Sequence, residues 1–167
     1  TVTYLDGTVE NLDQVNGRSG KITIPSTGDA VRCVFRNSPL TANVTIHKDV
    51  TDGNGENPTA RGGWTVGATS SATTGTVTKD PTANSQQTSS TGNASWKLKF
   101  NSYNDRATVN VSEAMQSGYE FKSGQCVVTR LDGTKATTEL SGPNSTALTG
   151  VAPGDSVDCT YVNKPAP

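Results

Sequence analysis

The chain carries apolar residues at every second position over several short stretches. Val44, Ile46, Lys48 and Val50 share one face of a strand over 41–50, with polar residues between them. Trp96, Leu98 and Phe100 alternate with Lys97 and Lys99 over 94–100, and Ala107, Val109, Val111 and Glu113 are in phase over 106–113. Further strands are predicted over 64–68, 75–79, 119–131, 148–151 and 157–163. Asp132-Gly133 marks a hairpin turn with a return strand after it. Asp52-Gly53-Asn54-Gly55-Glu56-Asn57-Pro58 reads as a turn-rich loop, and the Ser/Thr/Asn/Gln-rich stretch 80–92 as a mobile loop. A helical period is absent, with room for one turn at most over 112–118. Short strands at regular spacing predict an all-β sandwich.

Composition narrows the function classes. The 167 residues are 31 % hydrophobic and 17 % charged, with a net charge of −1. Low apolar content with low net charge separates the chain from disordered sequences, which pair low hydrophobicity with high charge. Abundant Thr, Ser, Asn and Gly suit short strands and polar turns. The balance offers no basic face for nucleic acid, and no run of about 18 apolar residues would span a membrane. One histidine and three cysteines with no C-x-x-C pair predict neither a metal site nor a cofactor.

An internal repeat organises the chain. Residues 1–40 align without a gap to 127–166, with 14 of 40 positions identical. Leu5-Asp6-Gly7-Thr8 falls on Leu131-Asp132-Gly133-Thr134. Gly28-Asp29 falls on Gly154-Asp155, Cys33 on Cys159, and Asn37 on Asn163. The expected organisation is a tandem array, with 1–40 the closing strands of a preceding repeat and 41–167 one complete repeat. Cys126 sits one residue before the repeated segment. A disulfide Cys126–Cys159 is therefore expected, and Cys33 is expected to have its partner outside this chain or lost to truncation.

The strand phases put three polar residues on apolar faces: Lys48, Glu113 and Asn163. Burying an amine, a carboxyl and a carboxamide costs several kcal/mol unless they pair or lose charge. Desolvation lowers a lysine pKa and makes a neutral nucleophile. A neighbouring protonated Glu113 would polarise the Asn163 carbonyl and shuttle the proton. Loss of ammonia would leave a Lys48–Asn163 isopeptide bond between the first and last strands. The same phases also fit side chains that reach water at strand ends, an unreacted hydrogen-bonded trio, or a register shifted by one.

These segments resemble the prealbumin-like β-sandwich repeats of Gram-positive, especially actinobacterial, surface adhesins and pilin-type proteins, the collagen-adhesin B-type architecture. The carriers are Val44-Thr45-Ile46-His47-Lys48, Gly63-Trp64-Thr65-Val66-Gly67, Val111-Ser112-Glu113 with Gly118-Tyr119, Pro153-Gly154-Asp155-Ser156-Val157, and Cys159 to Pro165. Where the family has Glu-Thr and a following Pro, this chain has Glu113-Ala114 and no Pro. The resemblance implies a structural stalk or fibre module of an extracellular, wall-attached protein, partnered by adjacent repeats. It implies no enzyme beyond autocatalytic bond formation. A competing expectation is an adhesin module that binds a host glycan or protein through 80–92 or a sheet face. Another is completion of a neighbouring chain by strand addition from 1–40. Buried tryptophans would favour the stalk.

Other constellations are weaker. His47 lies on the polar phase of its strand, so no Ser/His/Asp triad is assembled. The oxygen-rich 52–57 loop lacks the full calcium pattern and reads as a solvated turn. Trp64 and Trp96 on alternating strands read as core.

Overall fold

The computed structural model describes residues 2–10, 27–35 and 37–167. The chain divides into two compact units, Thr1–Asn37 and Ser38–Pro167. In the first, β1 (Val2–Thr3) lies between β2 (Val9–Glu10) and β3 (Ala30–Val31) in a small antiparallel sheet. Residues 11–26, among them the middle of the first repeat copy, lie outside the described residues.

The second unit is a β-sandwich. It comprises β4 (Thr41–Val50), β5 (Thr59–Ala60), β6 (Thr65–Thr74), β7 (Val77–Asp80), β8 (Ser85–Gln87), β9 (Asn93–Phe100), β10 (Arg106–Glu113), β11 (Tyr119–Thr129), β12 (Lys135–Glu139), β13 (Thr146–Val151) and β14 (Ser156–Pro165). One sheet has the order β12-β11-β14-β4-β9-β7, with β5 on the end of β4; the other has the order β13-β10-β6-β8. The first and last strands, β4 and β14, are direct neighbours and run parallel, Lys48 opposite Tyr161 and Val50 opposite Asn163.

The period-2 pattern is the cause of the packing. β4 and β9 bury every second residue, and β10 buries Ala107, Val109, Val111 and Glu113. Val44, Ile46, Trp96, Leu98, Val109, Val157 and Tyr161 join one continuous core between the sheets. Trp64 and Trp96 are both buried, at 3 % and 2 % exposure, which removes the exposed aromatic pair a sugar platform would need. Cys126 and Cys159 face each other across β11 and β14 and form the expected disulfide inside this core. Cys33 is a free, exposed thiol.

Two local expectations change. The 80–92 segment is not simply a loop, because β8 within it pairs with Thr65–Gly67 of β6. It is pinned from inside by Lys79, whose ammonium donates to the carbonyls of Ala68 (2.9 Å), Thr82 (3.3 Å) and Ala83 (2.6 Å) and to Asn84 Oδ1 (3.0 Å). Trp96 Nε1 also donates to Ala83 O. Second, β6 runs on to Thr74 through a polar stretch, held by its antiparallel ladder with β10. Residues 112–118 contain no helical turn, within the limit of one expected there.

The described parts of 1–40 share the ladder register of their counterparts in 127–166. Val2 pairs with Glu10 and Val31 as Val128 pairs with Ala136 and Val157, and Thr3 pairs with Ala30 as Thr129 pairs with Ser156. Both tight turns are closed alike: Asp6 Oδ1 accepts from Thr8 N and Oγ1, and Asp132 Oδ1 from Thr134 N and Oγ1. Gly7 and Gly133 supply the positive φ of each turn, at 85° and 86°.

Candidate functional site: a buried lysine–glutamate–asparagine pocket

Lys48, Glu113 and Asn163 reach one pocket because three strands aim them inward. β4 carries Lys48 in phase with Val44 and Ile46; β14 carries Asn163 in phase with Cys159 and Tyr161. Those strands are adjacent, so Lys48 and Asn163 share a face two rungs apart in a parallel ladder. Glu113 comes from the opposite sheet, at the end of β10, where Val66 of β6 pairs with it.

The side chains of Lys48 and Glu113 are wholly buried, with Nζ 2.9 Å from Oε2. The contact has ion-pair distance but lacks hydrogen-bond alignment. Lys48 Nζ, both Glu113 oxygens, Tyr161 Oη and Asn163 Oδ1 therefore all lack a hydrogen-bond partner. A fully buried, unsatisfied polar group costs about 1–3 kcal/mol, and more when charged. Five such atoms in one place call for a chemical explanation. Asn163 itself is fully buried; its Nδ2 donates to the Met115 thioether at 3.5 Å. Trp64 closes the pocket, with its ring centroid 4.4 Å from Lys48 Nζ and Tyr119 packed edge-on against it at 5.1 Å.

Electrostatics act on the lysine in opposite senses. Burial pulls its pKa below the usual 10.5; the Glu113 carboxylate pulls back toward the ammonium, and burial prevails. Tyr161 stays neutral far above its ordinary range, chiefly because it is buried and secondly because of the Glu113 charge. A lysine whose pKa is lowered by burial stands beside a carboxyl group, with a carboxamide on the next strand. These are the parts for acyl transfer from an amide to an amine.

Phase along single strands put Lys48, Glu113 and Asn163 on inward faces, and all three are buried. It missed Trp64, Tyr161 and Met115 as pocket walls. Tyr161 was in phase with Asn163, which is the signal that marks it. Trp64 precedes the ordered part of β6, and Met115 lies in an irregular segment where no period applies.

The other sequence features fall elsewhere. His47 lies on the outer face between Asn93 Oδ1 (2.8 Å) and Asp49 Oδ1 (2.9 Å). Asp52 accepts from the backbone N–H groups of Asn54 and Glu56 and from Asn57 Nδ2, so its carboxylate organises its own loop. Among the described residues no cluster of three metal-ligating side chains occurs, and no helix is long and apolar enough to cross a membrane.

No protein-family model matches this chain, and no curated protein sequence does. Among solved structures it is similar to the major pilin of Streptococcus pyogenes, at 18 % identity and a TM-score of 0.38. Two mutants of that pilin match at 15 % and 16 % identity, with TM-scores of 0.36 and 0.37. Each match spans 75 % of this chain and 48 % of the other, so the chain covers about half the length of these pilins.

Proposed function

We propose that residues 41–167 are a structural module of an extracellular stalk or fibre, closed by a Lys48–Asn163 amide bond that Glu113 promotes. On this reading 1–40 are the closing strands of another such module, and the partners are neighbouring modules of a tandem array. The observation that carries it is the cluster of unsatisfied atoms in one buried pocket: Lys48 Nζ, the Glu113 carboxylate and Asn163 Oδ1. As separate side chains they incur a burial penalty. As an amide beside a carboxylic acid they are compatible with the core.

The chemistry follows from the residues. Lys48, with its pKa depressed by burial, passes its proton to Glu113 and attacks Asn163 Cγ. Glu113 as an acid donates toward Oδ1 and polarises the carbonyl. The Nζ–Cγ bond forms and the Cγ–Nδ2 bond breaks; the proton carried by Glu113 leaves with Nδ2 as ammonia, and Glu113 takes the surplus Nζ proton and ends as the acid. Atoms balance with no cofactor. Trp64 and Tyr161 keep water out, which protects the amine from protonation and the amide from hydrolysis. The product ties the first strand to the last; the disulfide ties the last strand to β11. Both links act on β14.

Buried tryptophans support the module reading over a glycan platform. The test is the intact mass of the reduced protein. A deficit of about 17 Da, one ammonia, is expected. Peptide mapping should join Lys48 to Asn163, and Lys48→Ala and Asn163→Ala should restore full mass. Full mass in the unsubstituted protein overturns the clamp.

A further inference from the structure

The two repeat copies differ where their ladders end. In the 38–167 unit, β14 is a strand from Ser156 to Pro165, flanked by β11 on one side and β4 on the other. Its inward residues Cys159, Tyr161 and Asn163 are 1 %, 0 % and 0 % exposed. In the Thr1–Asn37 unit, β3 stops after Ala30–Val31, the two residues that have a ladder partner in β1. Beyond it Cys33, Phe35 and Asn37 stand at the positions of Cys159, Tyr161 and Asn163, and all three are exposed, Phe35 at 77 %.

An aromatic ring at a core position, in water, is an unmet contact. Moving such a ring out of water is favourable. Among the described residues of the first unit, the edge beyond β3 has no strand laid against it. The second unit shows what covers such an edge. Ile46 and Lys48 of a parallel strand lie opposite Cys159 and Tyr161, and Cys126 bonds to Cys159 from the antiparallel side.

We propose that residues 30–37 are a docking strand for a β-polypeptide of the kind formed by residues 41–126, carrying one free cysteine at the place of Cys126. This rests on the module reading and names the partner that the first unit takes. The partner lays a parallel strand against 32–37 and covers Phe35 with the facing sheet. Its thiol reaches Cys33. The two thiols then form a disulfide, losing two electrons and two protons to a small-molecule disulfide such as oxidised glutathione, which leaves as two thiols. Neither flanking strand is available within the 38–167 unit, where β4 already pairs with β14 and Cys126 is already bonded.

The test places a second copy of residues 41–126 directly before Thr1 of the full chain, where linkage holds the partner at high effective concentration. After oxidation by glutathione, thiols are titrated in denaturant and disulfides mapped. The expected result is no titratable thiol, with the added copy's cysteine bonded to Cys33 and Cys126–Cys159 intact. Two remaining thiols overturn the proposal, as does Cys33 bonded to Cys33 of a second chain or to Cys126 or Cys159. Introducing Phe35→Asp into the same chain should abolish the Cys33 bond by forcing a charge into the new core; a persisting bond overturns the seating of the strand. The Lys48–Asn163 amide is read in the same digest. Its presence with Cys33 unpaired defeats only the docking strand, and its absence with Cys33 paired defeats only the clamp.

Discussion

Reducing the Cys126–Cys159 bridge should cost the 38–167 unit about 4 kcal/mol. The bridge closes a loop with a sequence separation of 33. For a loop of that length the chain-entropy relation gives about 12.5 cal/mol/K, or about 3.7 kcal/mol at 25 °C. Reduction leaves both sulfurs in the core, so packing changes little and the link itself is what is removed. The unit has 130 residues; at about 2.1 cal/mol/K of unfolding entropy per residue, Tm should fall by about 14 °C. The assay is urea unfolding of the Asn163→Ala protein with and without reductant, so that no amide clamp already restricts the unfolded chain. The reduced protein should also show a larger m-value, because its unfolded state is less compact. A loss under about 1 kcal/mol with an unchanged m-value would refute the premise that the bridge acts by restricting the unfolded loop.

Four further outcomes are expected. Glu113→Ala should abolish the mass deficit of about 17 Da while Lys48 and Asn163 remain, read by intact mass. In the unlinked Asn163→Ala protein, folding expels a proton from Lys48, whose folded pKa lies below 10.5. Stability should therefore rise with pH through the interval between the folded and unfolded values and fall back at lower pH, and Lys48→Met should flatten that slope. The slope is best read below pH 10.0, where Tyr161, held above that value, does not yet act in the opposite sense. Gly75→Ala should destabilise by about 2 kcal/mol or more in urea, since a Cβ there meets Asp105 Oδ1 at 1.8 Å at a φ of +69°. Asp105 would then lose its hold on the N–H groups of Asn101 and Ser102. Lys79→Met should leave four acceptors without their common donor and cost about 1–3 kcal/mol, with faster amide exchange confined to 80–88.

Strands that bury one face were legible because alternation encodes burial directly: β9 and β10 lie where the pattern of Trp96-Leu98-Phe100 and Val109-Val111 put them. β8 was not, because Ser85-Gln86-Gln87 has no apolar phase and is held by backbone bonds to an edge. The polar half of β6 was hidden for the same reason. Each polar member of the pocket was legible from its own strand. Their meeting was one reading among several, because Lys48 touches Glu113 across the gap between sheets, and phase alone does not say which sheet a strand joins. Tyr161 shows the remaining gap: its ring is ordinary core by pattern, and only the packed pocket leaves its hydroxyl without a partner.

The parallel adjacency of β4 and β14 also decides how the domain bears tension. A pull that enters at Thr41 and leaves at Pro165 acts on opposite ends of neighbouring strands. It loads their whole ladder in shear, so the hydrogen bonds must fail together instead of unzipping one by one. An amide between Lys48 and Asn163 short-circuits that load path, leaving everything between those residues unstretched. Without it, yielding would release 82 of the 115 residues of that span, because the Cys126–Cys159 bridge holds back 33, about 280 Å of slack when fully extended. With the proposed amide in place, a string of such domains would transmit force with almost no lengthening.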